Sequence, residues 1–195
     1  MNIVLIYASP RKNGITSGIL SEIRKNISSE HTIDSFDMNK LKIKPCTSCL
    51  KCRPDKECVL PHDDAHVLSD KILHSDIIII GFPTYWGNVP GTLKIFFDRS
   101  VTTFEYAEAR SVLKPPAPLL KGKKALLITA SASPFPYNQL LSQSRGAIKA
   151  MKTVLKAGGI KIVKVINVPD SYGFEKKKDK YYKIARTVGL SIDTF

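Results

Sequence analysis

Ile77-Ile78-Ile79-Ile80-Gly81 runs for five residues without a polar side chain. A strand wetted on one side would alternate apolar and polar residues, because successive side chains point to opposite faces. An unbroken β-branched run belongs instead to a strand covered on both faces, in the middle of a parallel sheet. On either side of it, Ile3 to Tyr7 and Lys124 to Ala130 are similar runs, Ile160 to Val168 is another, and Thr32 to Phe36 is a weaker one. Each is followed by turn residues and then by helical spacing. That alternation predicts an α/β three-layer sandwich, a five-stranded parallel sheet with helices on both faces.

The helices are read from spacing and caps. Thr16 to Ile27 places Ile19, Leu20, Ile23 and Ile27 on one face, and Asp63 or Asp64 is a natural cap for a helix running to about His74. Leu140 to Ala157 is the longest expected helix, stopped by Gly158-Gly159, and Lys178 to Leu190 forms a closing one. Five strands and about five helices suit the flavodoxin-like strand order 2-1-3-4-5, in which ligands bind at the carboxyl ends of the strands. The expectation is a single domain over 1–195, with a cysteine-rich loop at about 44–62. Lys114-Pro115-Pro116-Ala117-Pro118 reads as a stiff connector within it.

Composition sets the class. Hydrophobic residues make up 43% of the 195 and charged residues 24%, as in an ordinary globular protein. No stretch is apolar enough to span a membrane, and Met1 leads directly into the first strand without a charged leader, so a cytoplasmic protein is expected. The net charge of +13 comes from dispersed lysines with one dense run, Lys176-Lys177-Lys178, and without interleaved aromatics. A solvated basic surface is the reading, rather than nucleic-acid recognition.

Three loops follow strands on what would be one rim. Ser9-Pro10-Arg11-Lys12-Asn13-Gly14-Ile15-Thr16-Ser17 offers hydroxyls, a guanidinium, a permissive glycine and helix-start amides, the donors a phosphate needs. It lacks the G-x-G-x-x-G of dinucleotide sites and the Walker pattern of nucleotide hydrolases, which leaves a monophosphate, or else an ordinary polar turn. Pro83-Thr84-Tyr85-Trp86-Gly87-Asn88 holds the sole tryptophan of the chain. Its aromatics can border a flat ring while Asn88 and backbone amides meet the ring's edge, the alternative being core filling. Ser131-Ala132-Ser133-Pro134-Phe135-Pro136-Tyr137-Asn138 completes the rim. A phosphate end and a ring end side by side describe flavin mononucleotide.

All four cysteines lie within one short segment, Cys46-x2-Cys49-x2-Cys52-x5-Cys58. In a reducing compartment such a cluster points to ligands rather than disulfides, and the spacing fits an iron-sulfur cluster, a zinc ion or free thiols. Lys44, Lys51, Arg53 and Lys56 would stabilise thiolates in each case. His62 and His66 are read as a solvated helical face, His31 and His74 as surface residues, and Lys94 with Asp98 as a helix-stabilising pair. No Ser-His-Asp order or carboxylate pair supports hydrolysis.

Ser9-Pro10-Arg11 with Thr16, then Pro83-Thr84-Tyr85-Trp86, then Gly91 to Arg99 resemble the NAD(P)H-dependent FMN reductase family. The compact cysteine segment resembles that of its iron-sulfur flavoprotein branch. Ile15 stands where many relatives place Asn, and the third loop lacks their Thr-x-Gly. The resemblance implies FMN held by Ser9, Arg11, Asn13, Thr16, Ser17, Pro83, Thr84, Tyr85, Trp86, Gly87, Asn88 and Ser131, with a [4Fe-4S] cluster on Cys46, Cys49, Cys52 and Cys58. It implies an oxidoreductase whose chemistry is carried by FMN. Reducing equivalents would come from NAD(P)H or a redox protein and pass to a quinone, another small oxidant or, through the cluster, an electron-transfer partner. A homodimer or homotetramer would enclose the flavin. The alternatives are an FMN-binding electron carrier without nicotinamide turnover and a zinc-binding nucleic-acid module.

Overall fold

In the computed structural model, which describes residues 1–53, 57–106 and 116–195, the five apolar runs form the strands of one parallel sheet. These are β1 (Asn2–Tyr7), β2 (Thr32–Asp37), β3 (Ile77–Pro83), β6 (Lys124–Ala130) and β7 (Lys161–Val168), while β4 (Glu105–Tyr106) and β5 (Ala117–Pro118) pair as a separate antiparallel ribbon. The sheet order is β2-β1-β3-β6-β7. With the ribbon set aside, that is the expected 2-1-3-4-5.

The isoleucine run explains the layers. Ile77 and Ile79 join Ile3, Leu5, Leu126 and Ile128 on one face, under α1 (Ile15–Lys25) and α7 (Lys178–Leu190) through Ile19, Leu20, Ile23, Ala185 and Val188. Ile78 and Ile80 join Val4, Ile6, Ala125 and Leu127 on the other, under α2 (Asp64–Leu73), α3 (Gly91–Arg99) and α6 (Gln143–Ala157). None of the four isoleucines is more than 1% exposed. Each such side chain contributes on the order of 1.5–3 kcal/mol by leaving water, so the middle strand anchors both cores.

Two expectations are corrected. Leu140 to Ala157 is not one helix: α5 (Tyr137–Leu140) ends, Ser142 turns into the left-handed region at φ 55°, and α6 begins at Gln143. At the break the Ser142 carbonyl lies against Gly87, where an added Cβ would sit 2.9 Å away, so the turn packs beneath the aromatic loop. The described residues also hold seven α-helices rather than about five, since α3, α4 (Val101–Phe104) and α5 are too short to show a clear apolar period. Of the stiff connector, Lys114 and Pro115 lie outside the described residues, while Ala117–Pro118 forms β5 of the ribbon.

Candidate functional site

The strands β1, β3 and β6 are neighbours and end together, with Tyr7 opposite Gly81 and Pro83 opposite Ala130. Their following loops therefore share one rim. In the first, the Arg11 carbonyl accepts from Gly14 N (2.9 Å), Ser17 Oγ (3.1 Å) and Ser9 Oγ (3.3 Å), which curls the loop on itself. Gly14 fits closely there, since a Cβ would come within 3.0 Å of that carbonyl and 3.2 Å of Ser9 Oγ, but its backbone is ordinary extended (φ −73°), so the glycine is not used for the unusual angles expected of it. Ser9, Thr16 and Ser17 are buried at the loop's base, while Arg11 and Asn13 are exposed. Helix α1 starts at this point without a side-chain cap and without an acidic residue in its first turn, so its positive end faces the loop. The sequence reading missed Asn39, whose Nδ2 donates to the Ser9 carbonyl at 2.9 Å and braces the loop from beyond β2.

The second loop is a tight hairpin. Tyr85 and Asn88 exchange backbone hydrogen bonds of 2.9 Å each, and the two residues between them both have positive φ, 50° for Trp86 and 71° for Gly87. That is the type I′ pattern, costly for a bulky residue. Trp86 is fully exposed and Tyr85 46% exposed, so these aromatics do not fill the core. Pro83 is buried in β3. Thr84 is pinned by its amide to the Ala130 carbonyl (3.0 Å) and by its hydroxyl to Thr129 Oγ1 (3.1 Å), and Asn88 Oδ1 accepts from Val89 N at 2.8 Å. The hairpin rests on α6 at Gly146, a position that sequence reasoning missed: a Cβ there would lie 2.2 Å from the Gly87 carbonyl oxygen.

The third loop is tied to β7 by Ser131 N donating to the Val168 carbonyl (3.0 Å), and Ser131 itself is buried. Asn138 is completely buried, its Nδ2 donating to Ser144 Oγ at 2.9 Å, and Asn167 Nδ2 donates to the same hydroxyl at 3.1 Å. This polar knot holds the loop while Phe135, Tyr137, Leu140 and Leu141 stay exposed around it. The rim thus offers a donor-rich end near α1 and an aromatic end near α6.

All four cysteines are free and line one cavity of about 120 Å³ together with Arg53, Asp98 and Arg99. The segment takes left-handed backbone at Ser48 (φ 53°) and Leu50 (φ 56°), and Ser48 N approaches Cys46 Sγ at 3.4 Å. Its entry is anchored to the start of α2: Lys42 N and Lys44 N donate to Asp64 Oδ2 (2.6 Å) and Asp63 Oδ2 (3.1 Å). A hydrogen bond from the Lys51 amide holds the Cys49 thiol below its ordinary pKa, helped by Thr47 and the Lys51 charge. Burial pushes the Cys52 thiol up, reinforced by the neighbouring Cys58 and Cys46 side chains. The Arg53 charge opposes that rise, although its guanidinium is engaged by Glu105 at 3.0 Å. Of the expected thiolate-stabilising cations, Lys51 and Arg53 act here, Lys44 takes part through its backbone, and Lys56 lies outside the described residues. No three His, Cys, Asp or Glu side chains among the described residues gather closely enough to hold one metal ion.

Two histidine expectations change. His66 is no solvated face residue, since its Nδ1 accepts from Asp63 N at 3.1 Å while Asp63 caps Ala65 N, a capping box closed by imidazole; His62 stacks on it at 4.8 Å. The His31 side chain is only 7% exposed, set between the Met1 amine (3.2 Å) and Asp193 (3.0 Å). Lys94 and Asp98 do form the expected exposed pair. Burial alone would raise the Asp63 carboxyl, but the Lys44 and Ala65 amides and the Arg99 guanidinium bring it below the usual range. A groove of about 640 Å³ adjoins the cysteines, sharing Cys58 and Arg99 with their cavity.

An open parallel sheet with a donor-rich loop and an aromatic loop at its switch point defines a flavodoxin-like protein, and known proteins agree. The family described as flavodoxin-like fold matches residues 1–188, and the chain belongs to it. An iron-sulfur flavoprotein of Clostridioides difficile is 37% identical over 103 residues, 51% of this chain and 46% of the relative. An FMN-dependent NADH:quinone oxidoreductase of Hydrogenovibrio crunogenus is 31% identical over 120 residues, 60% of this chain and 56% of the relative. The chain spans about half the length of the curated relatives it matches. Among solved structures, an NAD(P)H:quinone oxidoreductase from Methanothermobacter marburgensis superposes with TM-score 0.72 at 17% identity, covering 99% of this chain and 97% of its own. An azoreductase from Bacillus anthracis gives 0.74 at 12%, with 97% of each chain covered. Both likenesses are of fold.

Proposed function

We propose that this chain is an FMN-dependent oxidoreductase that takes reducing equivalents from NAD(P)H or a redox protein. It delivers them to a quinone or other small oxidant or, through an iron-sulfur cluster on Cys46, Cys49, Cys52 and Cys58, to an electron-transfer partner. The observation that carries the reading is the meeting, on the carboxyl ends of β1, β3 and β6, of a self-curled donor loop and a rigid hairpin presenting an exposed tryptophan. Relatives named iron-sulfur flavoprotein and FMN-dependent NADH:quinone oxidoreductase support it.

Arg11, Asn13, Thr16 and Ser17, with Ser9 shaping the turn, would bind the phosphate. Pro83, Thr84, Tyr85, Trp86, Gly87, Asn88 and Ser131 would border the ring. When bound, FMN supplies the change from a two-electron donor to one- or two-electron acceptors; the protein's part is to orient the ring and leave one face open. All four cysteines line one cavity, and relatives named iron-sulfur flavoprotein favour a cluster there over zinc. The exposed Trp86, Phe135, Tyr137, Leu140 and Leu141 beside the ring end favour a homodimer or homotetramer that covers them. The chain acts as a single domain over 1–195, and its uncrosslinked thiols fit the cytoplasm. No helix among the described residues is long and apolar enough to cross a membrane.

The test is an absorption spectrum of anaerobically purified protein with iron, sulfide and zinc assayed on the same sample, followed by steady-state NAD(P)H oxidation with a quinone. Flavin with iron and sulfide, and turnover, are expected, and Cys49→Ser should keep the flavin and lose the cluster. Flavin without turnover would make the protein an electron carrier, and zinc without flavin would overturn the oxidoreductase reading.

A further inference from the structure

The lysines that look dispersed along the chain are unevenly matched by carboxylates. Residues 116–169 carry nine lysines and arginines and no aspartate or glutamate. This stretch folds into β5, β6, α5, α6 and the edge strand β7. Within it α6 presents one basic face: Arg145, Lys149, Lys152 and Lys156 are spaced i, i+4, i+7 and i+11, and all four are exposed. At 3.6 residues per turn they fall within an arc of about 60° and span about 16 Å along the axis. Ala147, Met151 and Leu155 bury the other side of the helix in the core, which fixes that arc outward. The other described helices of eight or more residues each carry a carboxylate, such as Glu22 beside Lys25 on α1 and Asp98 beside Lys94 on α3. On α6 the cations three and four apart repel one another, with no anion in the helix to offset them.

We propose that Arg145, Lys149, Lys152 and Lys156 form the docking surface for the acidic face of an electron-transfer protein. That the partner carries electrons rests on the oxidoreductase reading above; that it is acidic and docks here rests on the charges themselves. A carboxylate-rich face relieves the repulsion along α6, and it is steered there over about a Debye length, roughly 10 Å at 0.1 M salt. Position gives the surface its use. Gly146 is where α6 meets the Gly87 carbonyl, so the stripe starts at the aromatic hairpin and runs away from the rim, and a protein seated on it abuts the ring end. Other occupants fit less well. A second copy would set like charge on like charge, and Lys161 and Lys164 stand exposed on β7, an edge strand, where lysine opposes strand pairing. Helix α6 has no aromatic residue on which a nucleic-acid base could stack. A membrane surface would take apolar side chains between the cations, and none of the exposed large apolar residues lies on α6.

The experiment titrates the protein with a plant-type ferredoxin of low pI by isothermal calorimetry, at about 50 mM and about 300 mM salt. Wild type is compared with Lys149→Glu/Lys152→Glu and with Lys176→Glu/Lys183→Glu, two exposed lysines off the stripe whose reversal changes the net charge equally. Binding should weaken with salt. The stripe pair should raise Kd about tenfold or more, and the control pair by no more than about twofold. Equal losses in the two pairs would reduce the effect to net charge and overturn the proposal, as would no loss in the stripe pair. Tighter binding of the wild type to a short DNA duplex, or to vesicles rich in phosphatidylglycerol, than to the ferredoxin would also overturn it. If the charge reversal fails to fold, Lys149→Gln/Lys152→Gln decides, with an expected loss of about threefold. Flavin is assayed on the same protein. Flavin-free protein that binds through the stripe would keep the docking surface and remove the oxidoreductase reading, whereas flavin and turnover without binding would do the reverse.

Discussion

Replacing Gly146 with alanine tests whether the aromatic hairpin is seated on α6 as described. The new Cβ would lie 2.2 Å from the Gly87 carbonyl oxygen and 3.2 Å from its carbon. The nearer contact is roughly 1 Å or more inside ordinary contact, which for carbon pairs is about 3.5 Å. The atom it meets is backbone, so no side-chain rotation relieves it: either the hairpin lifts or the helix shifts. Alanine gains up to about 1 kcal/mol in helix propensity over glycine, whereas overpacking of this kind costs about 1–3 kcal/mol or more, so the clash wins. A net loss of about 1–2 kcal/mol corresponds to a fall in Tm of roughly 2–8 °C in a chain of this size. Gly91→Ala is the control, since nothing lies within 4 Å of its added Cβ at the start of α3. Thermal denaturation and FMN titration of both variants are the assays. Because Gly87 neighbours Trp86, Gly146→Ala should also weaken FMN binding, while Gly91→Ala should leave stability nearly unchanged. A Gly146→Ala protein as stable as wild type, with unaltered FMN affinity, would refute the seating of the hairpin and its part in the site.

Arg11→Ala and Thr16→Ala should each weaken FMN retention while leaving the fold intact, measured by flavin released on gel filtration; full retention in both would remove the first loop from the phosphate site. The sole tryptophan sits on the hairpin at the proposed ring end, so its fluorescence should quench on adding FMN; unchanged emission at saturating FMN would place the ring elsewhere. Asp63 has a folded-state pKa below its unfolded value near 3.9, so the stability it contributes is complete above about pH 4 and is lost as pH falls through the lower folded value. Asp63→Asn should therefore lower Tm at neutral pH, with the gap to wild type closing only below about pH 4; parallel Tm curves down to the acid limit would contradict the sign.

The chain announces its layers through Ile77-Ile78-Ile79-Ile80 because each successive side chain enters a different core, and a residue at either face must be apolar. Cap and glycine signals were likewise legible in Asp63 and Gly158-Gly159, as they act within a few residues of where they stand. The three loops and the cysteine segment could be singled out by residue type alone. What the sequence could not disclose depends on contacts between distant segments. The turn at Ser142 packs beneath the hairpin of Trp86 and Gly87, and the need for glycine at 146 arises only because α6 meets that hairpin. His31 looked like a surface residue until the fold set it between Met1 and Asp193, and His66 looked solvated until its ring closed a cap. Arg99 carried no signal of its own in the sequence, and folding buried its side chain against the Lys44 carbonyl and Asp63. Local pattern determines which residues must leave water and where helices start and stop; which buried charge faces which cavity is set by the tertiary packing, since electrostatic and steric partners are chosen by proximity in space and not along the chain.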